Sequence, residues 1–226
     1  MTSPSARVRL LVLAIGVVGL TGCHARYKKM AGKIGSVKPV VAAPGAPIVD
    51  VDGVSGGNAS ETAVEEVVDA VVGVGLAVKA TKVQARLQRA VDPDEVGAAL
   101  TASILEAPGK GALPHSLGPQ GRHEMAVYLV QYGVGVDAFG PSIDTTIRVR
   151  IDRKRDGKRI YRATTSCSEP LADSRALVVP GVEQVQTLQS LAVVEAMNRE
   201  ELRAATIRGV ERCGQEVVER MVRHAR

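Results

Sequence analysis

The stretch that decides the fold is YLVQYGVGVDAFGPSIDTTIRVRI, residues 128–151, in which apolar and polar side chains alternate over two runs joined by a turn. A period of two places alternate side chains on opposite faces of a β-strand. The sequence therefore predicts two strands, each with one apolar face. The apolar face of the first strand consists of Tyr128, Val130, Tyr132, Val134 and Val136, and that of the second strand of Thr145, Ile147, Val149 and Ile151. Arg148 and Arg150 lie on the other face of the second strand.

A third strand is expected after a tight turn. Asp156-Gly157 is a strong hairpin signal, because these residue types tolerate the backbone angles that two-residue turns require. Residues 159–167 then return as a strand. Successive strands joined by short turns pair with their neighbours in antiparallel fashion. The sequence therefore predicts a three-stranded antiparallel meander.

Helical patterns lie on both sides of the meander. Asp92 and Pro93 combine a capping side chain with a proline at the first helical position. Asn198, with Glu201 three residues later, matches a capping box. Helices before and after an antiparallel meander predict an α+β domain, in which the helices pack on one face of the sheet. The predicted helices cover residues 62–90, 93–107, 183–197 and 198–223.

The N-terminus has the organisation of an export signal. Arg7 and Arg9 precede an apolar run, residues 10–20, that is too short to span a bilayer. Leu20-Thr21-Gly22-Cys23 follows, and it resembles the lipobox of bacterial lipoproteins: a branched apolar residue, two small residues and a cysteine. The resemblance implies that residues 1–22 are removed and that Cys23 becomes the first residue of the mature protein.

The same resemblance implies a covalent lipid anchor on Cys23. In that family the cysteine thiol receives diacylglycerol and the freed amine receives an acyl chain, palmitate among those used; we expect no other cofactor. Two or three acyl chains make the attachment of a protein to the membrane effectively permanent. Residue 24 is His rather than Asp. In the enteric sorting system Asp at this position retains lipoproteins in the inner membrane, so we expect the periplasmic face of the outer membrane, with the inner membrane as the alternative.

Residues 23–47 are rich in cations and proline. Five cations occur between residues 26 and 38, and no acidic residue precedes Asp50. Because such a segment buries little apolar surface, we expect a disordered tether. Its charge fits either a solvated linker or contact with anionic headgroups or other polyanions. The tether would lead into a single α+β domain, residues 48–226.

The charge balance of that domain argues against nucleic-acid binding. The whole sequence has 29 basic and 24 acidic residues. Without the two arginines of the leader and the five tether cations, 22 basic residues remain against the same 24 acidic ones, about −2. The sequence has no Trp and one Phe, so aromatic side chains for stacking on bases are also scarce.

One motif suggests catalysis. Residues 53–57, GVSGG, match the G-x-S-x-G pattern that presents a nucleophilic serine, here Ser55. A hydrolase also needs a histidine base, and His115, His123 and His224 lie beside glycine-rich loops or at the chain end. The four histidines and three cysteines show no metal-ligand spacing. We therefore expect no catalytic residue and no metal site, and interpret residues 53–57 as a turn.

Cys167 and Cys213 are expected to form a disulfide. With Cys23 committed to lipid, they are the remaining thiols in an oxidising compartment. Cys167 lies on the less charged face of the third strand, and Cys213 lies within the apolar stripe of the last helix. A helix over that sheet face would bring the two sulfurs together. The alternative is two buried, reduced thiols.

These features predict a membrane-anchored envelope lipoprotein that has no catalytic activity. We expect a role in assembly, transport or scaffolding through contacts with another envelope protein. Two alternatives stay open. One is a periplasmic carrier that holds an apolar ligand between the sheet and the helices. The other is a hydrolase that depends on Ser55.

Replacing Cys23 with Ser tests the anchor. We expect Cys23→Ser to block both lipid transfer and cleavage, because each step requires the cysteine, so an unprocessed precursor should accumulate. Intact-mass analysis of the protein from membrane fractions measures both events. Recovery of a mature chain with unchanged membrane affinity would show that residues 20–23 do not act as a lipobox.

Overall fold

A computed structural model describes residues 25–51, 63–120, 123–137, 140–153, 156–171 and 183–226, with side chains omitted at 63–74 and 183–185. Residues 25–34 are helical (α1). The other helices are α2 (Ala63–Ala90), α3 (Pro93–Glu106), α4 (Glu183–Ala196) and α5 (Arg199–Ala225), with a 3₁₀ turn at Pro108–Ala112. The strands are β1 (Ser36–Val41), β2 (Ile48–Val51), β3 (Ser116–Leu117), β4 (His123–Asp137), β5 (Gly140–Asp152) and β6 (Arg159–Pro170).

The sheet is larger than the predicted meander. Strands β4, β5 and β6 do pair in antiparallel fashion, as expected. However, within the described residues they belong to a six-stranded mixed sheet with the order β3-β1-β4-β5-β6, in which β2 also pairs with β4. Strands β1 and β2 both run parallel to β4. The prediction of a meander as the whole sheet is therefore wrong, because a second, parallel edge extends it.

The helices lie on one side of the sheet. Helix α5 contacts β5 and β6, α4 contacts β4 and β5, and α3 contacts β1 and packs on α5. The inward side chains of β5, from Ile143 to Ile151, are buried at every second position. This arrangement agrees with the predicted mixture of helices and sheet. No helix within the described ranges combines the length and the hydropathy needed to cross a lipid bilayer.

The predicted helix starts are confirmed. The side chain of Asp92 accepts a hydrogen bond from the backbone N–H of Asp94, and Pro93 occupies the first turn of α3. At the start of α5, Asn198 and Glu201 form both hydrogen bonds of a capping box. Each cap satisfies backbone donors that the first turn of a helix leaves without partners.

A β-bulge in β4 changes which of its residues face the helices. The pairing with β5 moves from Leu129↔Ile147 to Gln131↔Thr146, so Val130 has no direct partner. Such an extra residue reverses the alternation of faces. Side chains before the bulge are buried at Met125, Val127 and Leu129, and those after it at Tyr132, Val134 and Val136. The prediction that Tyr128 and Val130 share the buried face is therefore wrong: they are 39% and 49% exposed.

The predicted disordered tether is also wrong for residues 25–47. Helix α1 and strand β1 occupy residues 25–34 and Ser36–Val41, and β1 pairs with β4 and β3. In α1, Tyr27, Ala31 and Ile34 are buried. Their spacing of four and three residues is that of one helix face, and this apolar face is the physical reason why the segment folds. The cations lie elsewhere on the segment: Lys28, Lys29, Lys33 and Lys38 are exposed.

Strand β2 requires a glycine in the strand beside it. Gly133 of β4 has a φ of 150° and pairs with Ile48 of β2. A Cβ at position 133 would lie 1.8 Å from the backbone oxygen of Ile48. The close approach of the two backbones is therefore possible only without a side chain at this position.

We predict that Gly133→Ala destabilises the protein by at least ~2 kcal/mol, since the added methyl group must displace β2 and the backbone angle is unfavourable for alanine. Chemical denaturation measures the change. Gly32→Ala is the matched control, because Gly32 lies in α1 with open space around it and alanine favours helix by about 1 kcal/mol. Equal stability of the two variants would contradict the close pairing of β2 with β4.

Candidate functional site

Two residues singled out by the sequence lie outside the described residues. They are Cys23, the expected lipid attachment site, and Ser55 of the G-x-S-x-G motif. The third prediction, a disulfide between Cys167 and Cys213, is confirmed. The two Cα atoms are 5.6 Å apart, within the usual range for a bridge. The bridge joins the last strand, β6, to the last helix, α5.

A groove lies beside this disulfide, between β6 and α5. Within the described part of the sheet, β6 is an edge strand with β5 as its neighbour. The groove has a volume of ≈ 440 Å³. We call it the edge groove. It is lined by Ser166, Cys167 and Ser168 of β6 and by Arg212, Gln215, Glu216 and Glu219 of α5.

Polar contacts position the walls of the edge groove. The Arg220 guanidinium of α5 donates a 2.7 Å hydrogen bond to the backbone oxygen of Thr164 on β6. Arg212 of α5 pairs with Glu169 of β6. Together with the disulfide, these contacts hold α5 at a fixed distance from the strand edge. The groove therefore offers hydroxyl, amide and carboxylate groups along a strand edge, which is chemistry suited to binding an extended polypeptide.

A second polar surface lies on the sheet face opposite the helices. Four arginines and one tyrosine surround a depression of ≈ 190 Å³. We call this surface the arginine face. Arg150 and Arg162 are direct cross-strand partners, and Arg148 is the partner of Tyr128. Like charges at directly opposed positions destabilise a sheet by roughly 0.2–1 kcal/mol. The residues of the arginine face are Tyr128, Arg148, Arg150, Arg159 and Arg162.

The carboxylate of Asp152 partly neutralises the arginine face. Asp152 pairs with Arg150, and its other oxygen lies 3.9 Å from Arg159. By contrast, neither Arg148 nor Arg162 forms an ion pair with another described residue, and both are exposed. The face therefore keeps a net positive charge. The sequence placed Arg148 and Arg150 on a polar face, but the addition of Arg159 and Arg162 depends on strand register.

A buried cluster of tyrosines and histidines holds α1 against the sheet. The Tyr27 hydroxyl is 2.8 Å from Nε2 of His115, and the Tyr161 hydroxyl is 3.0 Å from Nδ1 of His224. The rings of Tyr27 and Tyr161 are 4.4 Å apart between centroids. The sequence patterns did not predict this cluster. For one member, Tyr27, a signal was present in the sequence: its spacing from Ala31 and Ile34 is that of one apolar helix face.

Burial shifts the pKa values of this cluster. Burial raises the pKa of Tyr27 and of Tyr161, since a phenolate would lose its hydration. Burial lowers the pKa of His115, and the nearby His123 adds to this, although a hydrogen bond with the backbone of Ser116 opposes it. Tyr27, Tyr161 and His115 are therefore uncharged near pH 7. Among the described residues, no group of three or more metal-ligating side chains is present.

Comparisons with known proteins give structural neighbours of low similarity. No family model and no curated protein matches the chain. A Caulobacter crescentus CB15 protein, provisionally described as a lipoprotein, is 12% identical; the match covers 57% of this chain and 81% of that one, with a TM-score of 0.29. A hypothetical protein of Chlamydia trachomatis is 14% identical, with coverages of 84% and 97% and a TM-score of 0.36. A DUF330 protein of Xanthomonas campestris is 11% identical, with coverages of 82% and 88% and a TM-score of 0.33.

The buried histidine predicts a loss of stability in mild acid. The pKa of His115 lies below its ordinary value of 6.5 in the folded chain. Below about pH 6.5 the unfolded chain therefore binds a proton that the folded chain does not, and the free energy of unfolding falls as the pH decreases. We expect His115→Asn to show a smaller fall between pH 7.5 and pH 5 than the unmodified chain, in denaturation curves at each pH. If the free energy of unfolding of the two chains fell equally with decreasing pH, His115 would titrate normally in the folded chain.

Proposed function

We propose that this chain is a bacterial envelope lipoprotein, anchored through lipid on Cys23, with a non-catalytic role in assembly, transport or scaffolding through protein contacts. The observation that carries the proposal is the lipobox-like sequence Leu20-Thr21-Gly22-Cys23 at the end of an export signal. The favoured location is the periplasmic face of the outer membrane, on the analogy with enteric sorting and His24.

The short connection between anchor and domain supports this role. Tyr27 follows Cys23 by four residues and is fully buried against Tyr161. A chain spans at most about 3.6 Å per residue, so the folded domain begins within ~15 Å of the lipid-bearing residue. The domain would therefore be held close to the membrane surface, where an assembly or transport partner in the same membrane is within reach.

The edge groove is the surface that best fits a protein partner. An edge strand offers backbone donors and acceptors to an added strand. The nearby exposed side chains of Ser166, Ser168 and Gln215 supply further hydrogen-bonding groups. The disulfide and Arg220 hold the two walls in place before binding, which reduces the entropy lost on association.

The described residues give less support to the two alternatives. A carrier needs an apolar cavity between sheet and helices, but large side chains occupy this layer, among them the fully buried Tyr132, Leu100 and Met125. A Ser55 hydrolase needs a histidine base. Of the three histidines considered above, two, His115 and His224, already have their rings hydrogen-bonded to Tyr27 and Tyr161. Substituting Ser55 by Ala and screening for a lost hydrolytic activity distinguishes that alternative.

Photocrosslinking in intact cells tests the proposed partner surface. A photoreactive amino acid at Ser168 or Gln215 places the reporter in the edge groove, and one at the exposed Gln189 of α4 is the control. We expect both groove positions to capture the same envelope protein, identified by mass spectrometry, because a bound strand would contact both walls. The control position should not capture it.

A reciprocal experiment makes the result decisive. A photoreactive residue in the captured protein should recover this chain, and the Cys167→Ser/Cys213→Ser variant should reduce capture at least tenfold if the groove must be held open. Equal capture from the groove and from position 189, or failure of the reciprocal experiment, would rule out the edge groove as the partner surface.

A further inference from the structure

We propose that the arginine face binds the phosphate groups of anionic phospholipids in the membrane that holds the anchor. This inference rests on the proposed function, because it requires Cys23 to be the point of attachment. It goes beyond anchoring, since it assigns a second, noncovalent membrane contact to the folded domain. The binding residues would be Arg148, Arg150 and Arg162, with Tyr128 beside them.

The arrangement of charge favours an anionic ligand. The opposed Arg150 and Arg162 repel each other across the strands, and Arg148 lies on the same face two residues from Arg150. Asp152, a carboxylate that contacts this face, is already paired with Arg150. Guanidinium groups form paired hydrogen bonds with phosphate oxygens, so a phosphate between these arginines would replace repulsion by attraction.

The chain path places this face near the anchor. The guanidinium of Arg26 donates a 3.0 Å hydrogen bond to the backbone oxygen of Arg159, which belongs to the arginine face. Arg26 follows Cys23 by three residues, a span of at most about 11 Å. An anchor at Cys23 would therefore be close to the arginine face. This proximity favours headgroup phosphate over free phosphate, because the anchor keeps the local concentration of headgroups high.

The uncharged side chains of this face also suit a membrane surface. Tyr128 is 39% exposed and Val130, beside it on β4, is 49% exposed. Tyrosine is enriched at the level of lipid headgroups, where its ring contacts apolar groups and its hydroxyl stays hydrated. Because of the bulge at Val130, these two side chains lie on the outer face although Tyr132, Val134 and Val136 face the core.

A single tryptophan can report membrane contact, because the sequence has none of its own. In Val130→Trp the reporter lies beside the arginine face. In Val193→Trp it lies on α4, in the helix layer, at a position that is 43% exposed. Each lipidated mature variant is placed in vesicles of phosphatidylcholine alone or with 30% phosphatidylglycerol, in either case with a trace of headgroup spin-labelled lipid as quencher. We expect at least threefold stronger quenching at position 130 than at 193 in the anionic vesicles, and a smaller difference without phosphatidylglycerol.

Paired substitutions connect the quenching with the arginines. Arg148→Gln/Arg162→Gln in the Val130→Trp chain should reduce quenching in anionic vesicles to the level seen with phosphatidylcholine. Arg199→Gln/Arg208→Gln removes the same charge from exposed positions on α5 and should leave it unchanged. Equal quenching at positions 130 and 193, or equal effects of the two arginine pairs, would overturn the proposal. Quenching abolished by millimolar inorganic phosphate but insensitive to phosphatidylglycerol would identify free phosphate as the ligand instead.

The intact mass of the purified chain separates failure of this inference from failure of the anchor. A chain without diacylglycerol on Cys23 would contradict the proposed function, and the arginine face is then tested by sedimentation of that chain with the same vesicles. Selective sedimentation with anionic vesicles that depends on Arg148 and Arg162 would support headgroup binding. A lipidated chain that shows no such dependence in the quenching experiment would leave the anchor intact and refute headgroup binding.

Discussion

The packing of helices on one face of the sheet is the interaction on which the rest of the structure depends. It requires every central strand to carry apolar side chains on the covered face, as at Ile147, Val149 and Ile151, which are at most 1% exposed. The other face needs no apolar residues and can accumulate charge, as at Arg148 and Arg150. The same constraint brings Cys213 of α5 over Cys167 of β6. A pattern that begins as alternation in sequence thus fixes the positions of the core, the disulfide and the charged surface.

Local sequence patterns predicted those parts of the fold whose causes are local. The pairing of β4, β5 and β6 follows from alternation and short turns, and the starts of α3 and α5 follow from capping residues within three positions of each other. The disulfide was predictable because each cysteine could be assigned to one face of its element. The bulge was not. One extra residue at Val130 reverses the faces of β4, and nothing in the alternating run distinguishes Tyr128 from Tyr132, of which only the second is buried.

The N-terminal segment shows why composition can mislead. Residues 26–47 contain five cations, three prolines and no acidic residue, so their average character is that of a linker. The signal for folding lies in three apolar positions of α1 and in parallel pairing of β1 with a strand that comes more than 80 residues later. Parallel pairing leaves no turn signature in the sequence, because its partner is not adjacent in the chain. The arginine face was unpredictable for the same reason: Arg162 joins Arg150 through strand register.

Because the segment after Cys23 is packed on the domain and is not a disordered tether, an anchor at Cys23 would restrict how the domain is oriented at the membrane. A flexible linker of about 25 residues would allow the domain to rotate freely, so that any surface could meet the membrane. With Tyr27 buried in the core and Arg26 bonded to Arg159, only a few residues would separate an anchor at Cys23 from the fold, and the domain could adopt few orientations relative to the membrane. The two surfaces that carry the functional proposals share strand β6, which contributes Arg162 to the arginine face and Ser166 to the edge groove. A membrane bound at one surface would therefore fix the direction in which the other surface meets its partner.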